Sequence, residues 1–306
     1  MVNLILILVC IFAGWLLRRL RVLPAEAHRG INIWVLYLAV PAVALKYVPA
    51  IHWGLELLVP ALSPIIVWVG SWLLFLLYSR FRPISPATRT ALTLVSGLGN
   101  TSFLGFPLVS AYYGEQALPI AVVCDQLCFI IMATIASVMA MNTPPDIADG
   151  TSPSEKPNAL TVAKKLLTFP PFIGFLGAVI LPLFVDLTTA VPFFDKFAAT
   201  LAPMALFSVG MQLSFEGWRE ELPLLSVSLV YKLLLAPLMV MVAVAGLHAS
   251  GSSRQISVFE AAMAPMITAG VIATQYNLNP RLANLTVSIG ILLSLLTTAL
   301  WYWLLG

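Results

Sequence analysis

Charge is what this sequence has least of. Asp, Glu, Lys and Arg make up 9% of its 306 residues, against 60% hydrophobic ones. A soluble domain carries about 25% charged residues, so this balance excludes an ordinary water-soluble fold and points to an integral membrane protein. The small net charge of +3 comes from basic residues that read as topology signals, and no nucleic-acid partner is expected. Cysteine and histidine are scarce too, at three each. Cys10, Cys124 and Cys128 all lie in apolar segments. Cys124 and Cys128 share one helix face, but no further His or Cys stands nearby to complete a metal site. They are expected to be small core residues, and no metal or cofactor is expected. There is no Gly-Lys-Ser/Thr loop, zinc-protease helix or Gly-x-Ser-x-Gly elbow. Paired catalytic groups cannot be assembled, so an enzyme is not expected.

What fills the chain instead is apolar segments of membrane length. A spanning helix needs about 20 mostly apolar residues. Ten segments qualify, near residues 2–18, 30–47, 57–79, 88–113, 117–141, 166–185, 194–214, 222–247, 255–276 and 282–305. The charges Arg18, Arg19 and Arg21 follow the first segment and do not precede it, which suits a first span better than a signal peptide. The longest polar break, "NTPPDIADGTSPSEKPN" from Asn142 to Asn158, has no apolar period and reads as a flexible linker. With the N-terminus outside, the inner loops hold twelve basic residues; the outer loops hold three, Lys46, Lys196 and Arg254. That bias places both termini outside.

The linker divides the spans into five and five. Because five is odd, related halves would form an inverted repeat, a common transporter architecture. "PAVAL" from Pro41 in span two matches "PMALF" from Pro203 in span seven. Asn100 precedes Tyr113 by 13 residues in span four, and Met263 precedes Tyr276 by 13 in span nine.

Both of those spans are broken at the centre. "GLGNTSFLGFPLV", Gly97 to Val109, carries three glycines, a polar triplet and Pro107. "AAMAPMITAGVIATQY" places Pro265, Thr268 and Gly270 in mid-span. Proline removes a backbone donor and glycine adds flexibility. Freed backbone groups survive at membrane depth only where they are buried in protein or line a cavity. Two such breaks at equivalent points imply unwound segments that cross near the midplane. Each outgoing half-helix then presents its positive N-terminus there, a natural seat for a carboxylate. Asn100, Thr101 and Ser102 add neutral donors.

Charges inside spans are functional candidates. Asp125 lies ten residues beyond Glu115, about 15 Å inward, and Lys232 lies eleven beyond Glu221, about 16 Å inward. They are candidate ion-pair partners, or Asp125 is a protonation site. Gln126 follows on another face. Glu260 is expected at the interface. Lys46, His52, Glu56 and His248 are expected in loops or at span ends. Trp53, Trp301 and Trp303 are expected as interface anchors or lipid-facing packing.

At these residues the chain resembles the auxin efflux carrier family, which includes the plant PIN-FORMED carriers and bacterial organic-anion permeases. "GLGNTSFLGFPLVSAYYGEQAL" is similar to the family's first broken helix. "VCDQL" at Val123 and "KLLLAPL" at Lys232 are similar to segments of bacterial members. The resemblance covers essentially the whole chain, although the central linker is short and no Asn stands beside Pro265. It implies a fold like that of the bile-acid/sodium symporters. Scaffold helices 1–2 (residues 1–50) and 6–7 (161–218) would form a homodimer. Core helices 3–5 (51–141) and 8–10 (219–306) would move, with a cytoplasmic linker at 142–160. It also implies that Asn100 contacts a substrate carboxylate.

The sequence therefore reads as an all-α polytopic membrane protein of ten helices in a five-plus-five inverted repeat with two broken crossover helices. The expected function is secondary active or facilitative transport of small organic anions, auxin-like carboxylates included, by elevator-type alternating access. The setting is a bacterial inner membrane, with protons or sodium as coupling ions. The candidate substrate residues are Asn100, Thr101, Ser102, Pro107, Gln126, Pro265, Thr268 and Gly270; Asp125 and Lys232 are the coupling or ion-pair candidates. The competing expectation is a channel or receptor of the same architecture.

Overall fold

The structure, a computed structural model, describes residues 2–24, 26–51, 54–145, 167–246 and 251–306. His52, Trp53, His248 and all but the first residues of the expected linker lie outside them. Among the described residues the secondary structure is helical, with one isolated antiparallel bridge between Gly99 and Pro265. The elements are α1 (Val2–Arg19), α2 (Ala27–Ala50), α3 (Leu58–Phe81), α4 (Pro86–Gly97), α5 (residues 101–113), α6 (Glu115–Met141), α7 (Pro170–Leu183), α8 (Thr188–Gln212), α9 (Trp218–Ala245), α10 (Gly251–Ala261), α11 (Ile267–Gln275) and α12 (Pro280–Leu305). Six of these, α2, α3, α6, α8, α9 and α12, are long and apolar enough to cross a membrane.

Among the described residues four helices contain a π turn: Val35–Ala39 in α2, Thr101–Gly105 in α5, Met132–Ala136 in α6 and Tyr231–Leu235 in α9. Three have a common cause. Pro41, Pro107 and Pro237 each stand two residues past the end of the turn. A proline removes one intrahelical bond and clashes with the carbonyl four residues back, and a wider turn relieves the clash without ending the helix. The fourth has no proline. There Ser137 Oγ donates to the Met132 carbonyl at 2.7 Å, and Thr134 Oγ1 donates to that of Ile130 at 2.6 Å.

The helices pack in two groups. α1, α2, α7 and α8 pack on one another, whereas α3, α4, α6, α9, α10, α11 and α12 form a second set. In the first group α1 and α8 approach backbone to backbone. A Cβ on Gly14 would strike the Phe207 carbonyl, and one on Gly210 the Ile11 carbonyl. Such small-residue contacts hold helices together in lipid, where apolar side chains gain nothing by leaving the bilayer. In the second group Tyr231 Oη donates to the Val67 carbonyl at 2.6 Å, and the Ser96 and Ser228 hydroxyls meet at 2.6 Å.

The two ends of the bundle differ in charge. One end holds Arg18, whose guanidinium donates to the Met211 carbonyl, together with Arg29 and the Arg281–Glu220 pair. The other holds Lys46, Glu115 and Asp195. Asn3 of α1 lines a cavity with these last three. Near the end of α12, Tyr302 packs on Tyr112 and Tyr113, just before Glu115. The start of α1 and the end of α12 therefore share the Lys46 end. Trp301 departs from expectation. It is buried, and its indole N–H donates to the Leu233 carbonyl at 2.9 Å.

Candidate crossover site

The two breaks meet. Between α4 and α5 the chain is non-helical over residues 98–100; between α10 and α11 it is non-helical around residues 263–266. The Asn100 N–H donates to the Ala264 carbonyl at 2.8 Å, and the Met266 N–H donates to the Leu98 carbonyl at 2.9 Å. These reciprocal bonds satisfy backbone groups that neither helix can satisfy internally, which the interior of a membrane demands. They also change the register between the halves. By bonding role Asn100 corresponds to Met266, an offset of 266 − 100 = 166. The tyrosine spacing instead pairs Asn100 with Met263, an offset of 163.

A cavity of about 70 Å³ opens beside the crossing. Asn100, Ser102, Asp125 and Thr268 line it, and so does Asn32 of α2, which sequence reasoning missed. Asn32 stands near the charged start of α2 and accepts a bond from the Ser208 hydroxyl; a lone Asn near Arg29 gives no signal of its own. Phe129 and Phe169 also line the cavity, stacked with centroids 3.7 Å apart. Among the described lining residues there is no Lys, Arg or His. The side chain of Asn100 is 3% exposed, and its Nδ2 has no hydrogen-bond partner. A buried, unpaired amide donor is costly unless something accepts from it. Thr268 sits in the first turn of α11, where free backbone donors and the helix dipole favour an anion.

The other sequence candidates take different places. Thr101 starts α5, and its hydroxyl donates to Asp125 Oδ1 at 2.6 Å. Gln126 Nε2 reaches Asp125 Oδ2 at 3.3 Å, leaving its own Oε1 without a partner. Pro265 forms the bridge with Gly99 and closes against Gly290. Pro107 does not mark the break. It lies past the π turn of α5 and lines a second cavity with Lys46. Gly270 faces Asn284 of α12, not the crossing.

Asp125 and Lys232 are both buried, at 4% and 1% exposure, but they do not pair. Lys232 Nζ donates to the Ala261 carbonyl at 2.9 Å, at the end of α10, while Asp125 is held by Thr101 and Gln126. The backbone of the first break separates them. Thr101 lines both the cavity with Lys232 and, through its bond, the Asp125 carboxylate. Glu260 overturns the interfacial expectation. It is 2% exposed, shares the small cavity behind the crossing with Lys232, and neither carboxylate oxygen has a hydrogen-bond partner. Its burial follows from the true limits of the helix. α10 starts at Gly251 and ends at Ala261, so Glu260 belongs to its last turn, beside the break. Cys124 and Cys128 are buried as expected, and Cys128 Sγ lies 3.6 Å from the Gly99 carbonyl.

The profile of a family described as "Membrane transport protein" matches residues 1–302. An "Uncharacterized transporter" of Methanocaldococcus jannaschii is 23% identical, over 98% of this chain and 97% of its own. The "Uncharacterized transporter YfdV" of Escherichia coli K12 is 24% identical, over 98% and 95%. A Rhizobium meliloti protein named "Putative malonate transporter" is 28% identical, over 94% and 90%. These relatives are transporters, not enzymes. With the profile spanning nearly its whole length, the chain is a multi-pass membrane transporter belonging to the membrane transport protein family, the auxin efflux carriers.

Proposed function

We propose that the protein is a secondary carrier of small organic anions, carboxylates above all, and that the crossover is its substrate site. The observation that carries this is the buried, unpartnered Nδ2 of Asn100 beside a cavity that also receives the N-terminal turn of α11. Those groups supply hydrogen-bond donors and partial positive charge. The name of the Rhizobium relative supports a short carboxylate as cargo.

In this reading ten segments cross the bilayer as a five-plus-five inverted repeat. α4 with α5 makes one crossing and α10 with α11 another. Both termini face outward from a bacterial inner membrane. α1, α2, α7 and α8 form a fixed scaffold that pairs as a homodimer, a point that cross-linking in membranes checks by yielding a dimer or only monomer. The remaining helices carry the site past the scaffold as an elevator. The packing of α1, α2 and α8 chiefly on one another supports that division, with α5 at the boundary, against α1 and α8 on one side and α6 on the other. Proton or sodium coupling acts at Asp125, because its carboxylate is tied to Thr101 at the first residue of α5. Proteoliposome uptake tests the coupling. An imposed pH or sodium gradient is expected to accelerate wild-type uptake several-fold, with the response lost in Asp125→Asn. A gradient response retained in full by that variant removes Asp125 from the coupling role.

A further inference from the structure

We infer that Lys46 and Tyr47 form a second carboxylate-binding subsite, one that the protein's own Glu115 fills while the Lys46 end is closed. The cargo of this subsite rests on the transport reading above; the geometry does not. Lys46 Nζ lies 3.2 Å from Glu115 Oε2, and Tyr47 Oη donates to the same oxygen at 2.5 Å. Two donors converging on one carboxylate oxygen, one of them charged, match the geometry a carboxylate needs. Asp195 of α8 lies 2.5 Å from Lys46 Nζ, and the ammonium sits 4.6 Å from the centre of the Tyr47 ring. An ammonium has three donors. Asp195 therefore fixes its direction and leaves capacity for a further carboxylate.

The contact has a particular position. Lys46, Tyr47 and Asp195 belong to the α1–α2–α7–α8 group, whereas Glu115 opens α6 in the other. Arg29–Glu26 is local, Lys46–Asp195 lies within the first group, and Arg281–Glu220 lies within the second. Among the Lys and Arg ion pairs of the described residues, Lys46–Glu115 is the one that ties the two groups together. All four residues line a cavity of about 250 Å³, and Ser110 of α5 lines it too. Ser110 is ten residues from Asn100, about 15 Å along the helix. A carboxylate that leaves Asn100 along α5 meets Lys46 and Tyr47 next. The Glu115 side chain is 65% exposed, and exposed ion pairs are weak, so an incoming carboxylate of the same chemistry can displace it. Displacement frees the tie and opens that end. Glu115 is thus an internal placeholder, and the cargo is what releases it.

Thiol labelling tests this in the full-length chain carrying Cys10→Ser and Ser110→Cys, with malonate as the probe. In the added Glu115→Ala background, the malonate concentration that halves labelling is expected to fall about fivefold, because occupancy by Glu115 lowers apparent affinity by the free fraction. Adding Lys46→Met abolishes protection, and Lys46→Arg restores it, which separates a lost site from a misfolded one. Labelling that malonate never slows in Glu115→Ala, or protection that survives Lys46→Met, overturns the subsite. Malonate uptake by the wild-type chain is measured in parallel. Uptake without protection sinks the subsite and leaves the transport reading intact. Protection without uptake supports the subsite and counts against malonate transport.

Discussion

Asn100→Ala is expected to weaken malonate binding by about ten- to a hundredfold, with thermal unfolding in detergent almost unchanged. The loss corresponds to one hydrogen bond to a charged group, roughly 1.5–3 kcal/mol. Stability is largely spared because the Nδ2 donor makes no hydrogen bond within the protein that alanine would remove. The bonds that matter for the crossing belong to the main chain. Asn100 N–H reaches the Ala264 carbonyl, and the Gly105 N–H reaches the Asn100 carbonyl at 3.0 Å; alanine keeps both. Titration calorimetry on the purified variant gives the affinity. Wild-type affinity in a folded variant would reduce Asn100 to a brace for the crossover.

Lys232→Met should destabilise the protein by about 3 kcal/mol, the scale for removing the countercharge of buried acids. Methionine nearly matches the length and apolar volume of the side chain, so the loss is electrostatic. Lys232 is the one buried cation among the described residues, and it shares a small cavity with the buried acid Glu260. Neither oxygen of Glu260 is hydrogen-bonded. Neutralising it in Lys232→Met/Glu260→Gln is therefore expected to recover at least half of the lost stability, measured as unfolding temperature in detergent. Should the single variant fail to express, expression and unfolding of the double variant still decide the matter. Strictly additive losses would mean that Lys232 acts only through its bond to the Ala261 carbonyl.

Most of the architecture was legible because lipid leaves few choices. Runs of apolar residues between charges locate α2, α3, α6, α9 and α12 to within a few residues; α8 starts six residues before its expected bound, since Asp195 and Lys196 lie inside it, and clustered glycine, proline and polar residues locate both breaks. The side-chain assignments were less legible, for reasons of three-dimensional position. Pro107 and Pro265 look equivalent in sequence. A π turn absorbs the first, while the second stands at the bridge. Asp125 and Lys232 reach similar depth when residues are counted from the membrane face. Depth does not report which side of the crossing a side chain occupies, and the broken backbone lies between them. Glu260 was misplaced because one acid near a span's start looks interfacial until the early end of α10 is known. Asn32 and the Lys46–Tyr47–Glu115 cluster join residues 68 or more positions apart, from helices that only the fold brings together.

The most direct measurement of the central claim is counterflow. Proteoliposomes loaded with unlabelled malonate are diluted into a trace of labelled malonate. A carrier alternating around one site takes up the label transiently above its external concentration, and saturating external malonate suppresses the overshoot. The crossover site predicts that overshoot for the wild type and its loss in Asn100→Ala at the same malonate concentration. Label that only equilibrates, at a rate linear in concentration and unaffected by the internal load, would contradict a carrier and describe a channel.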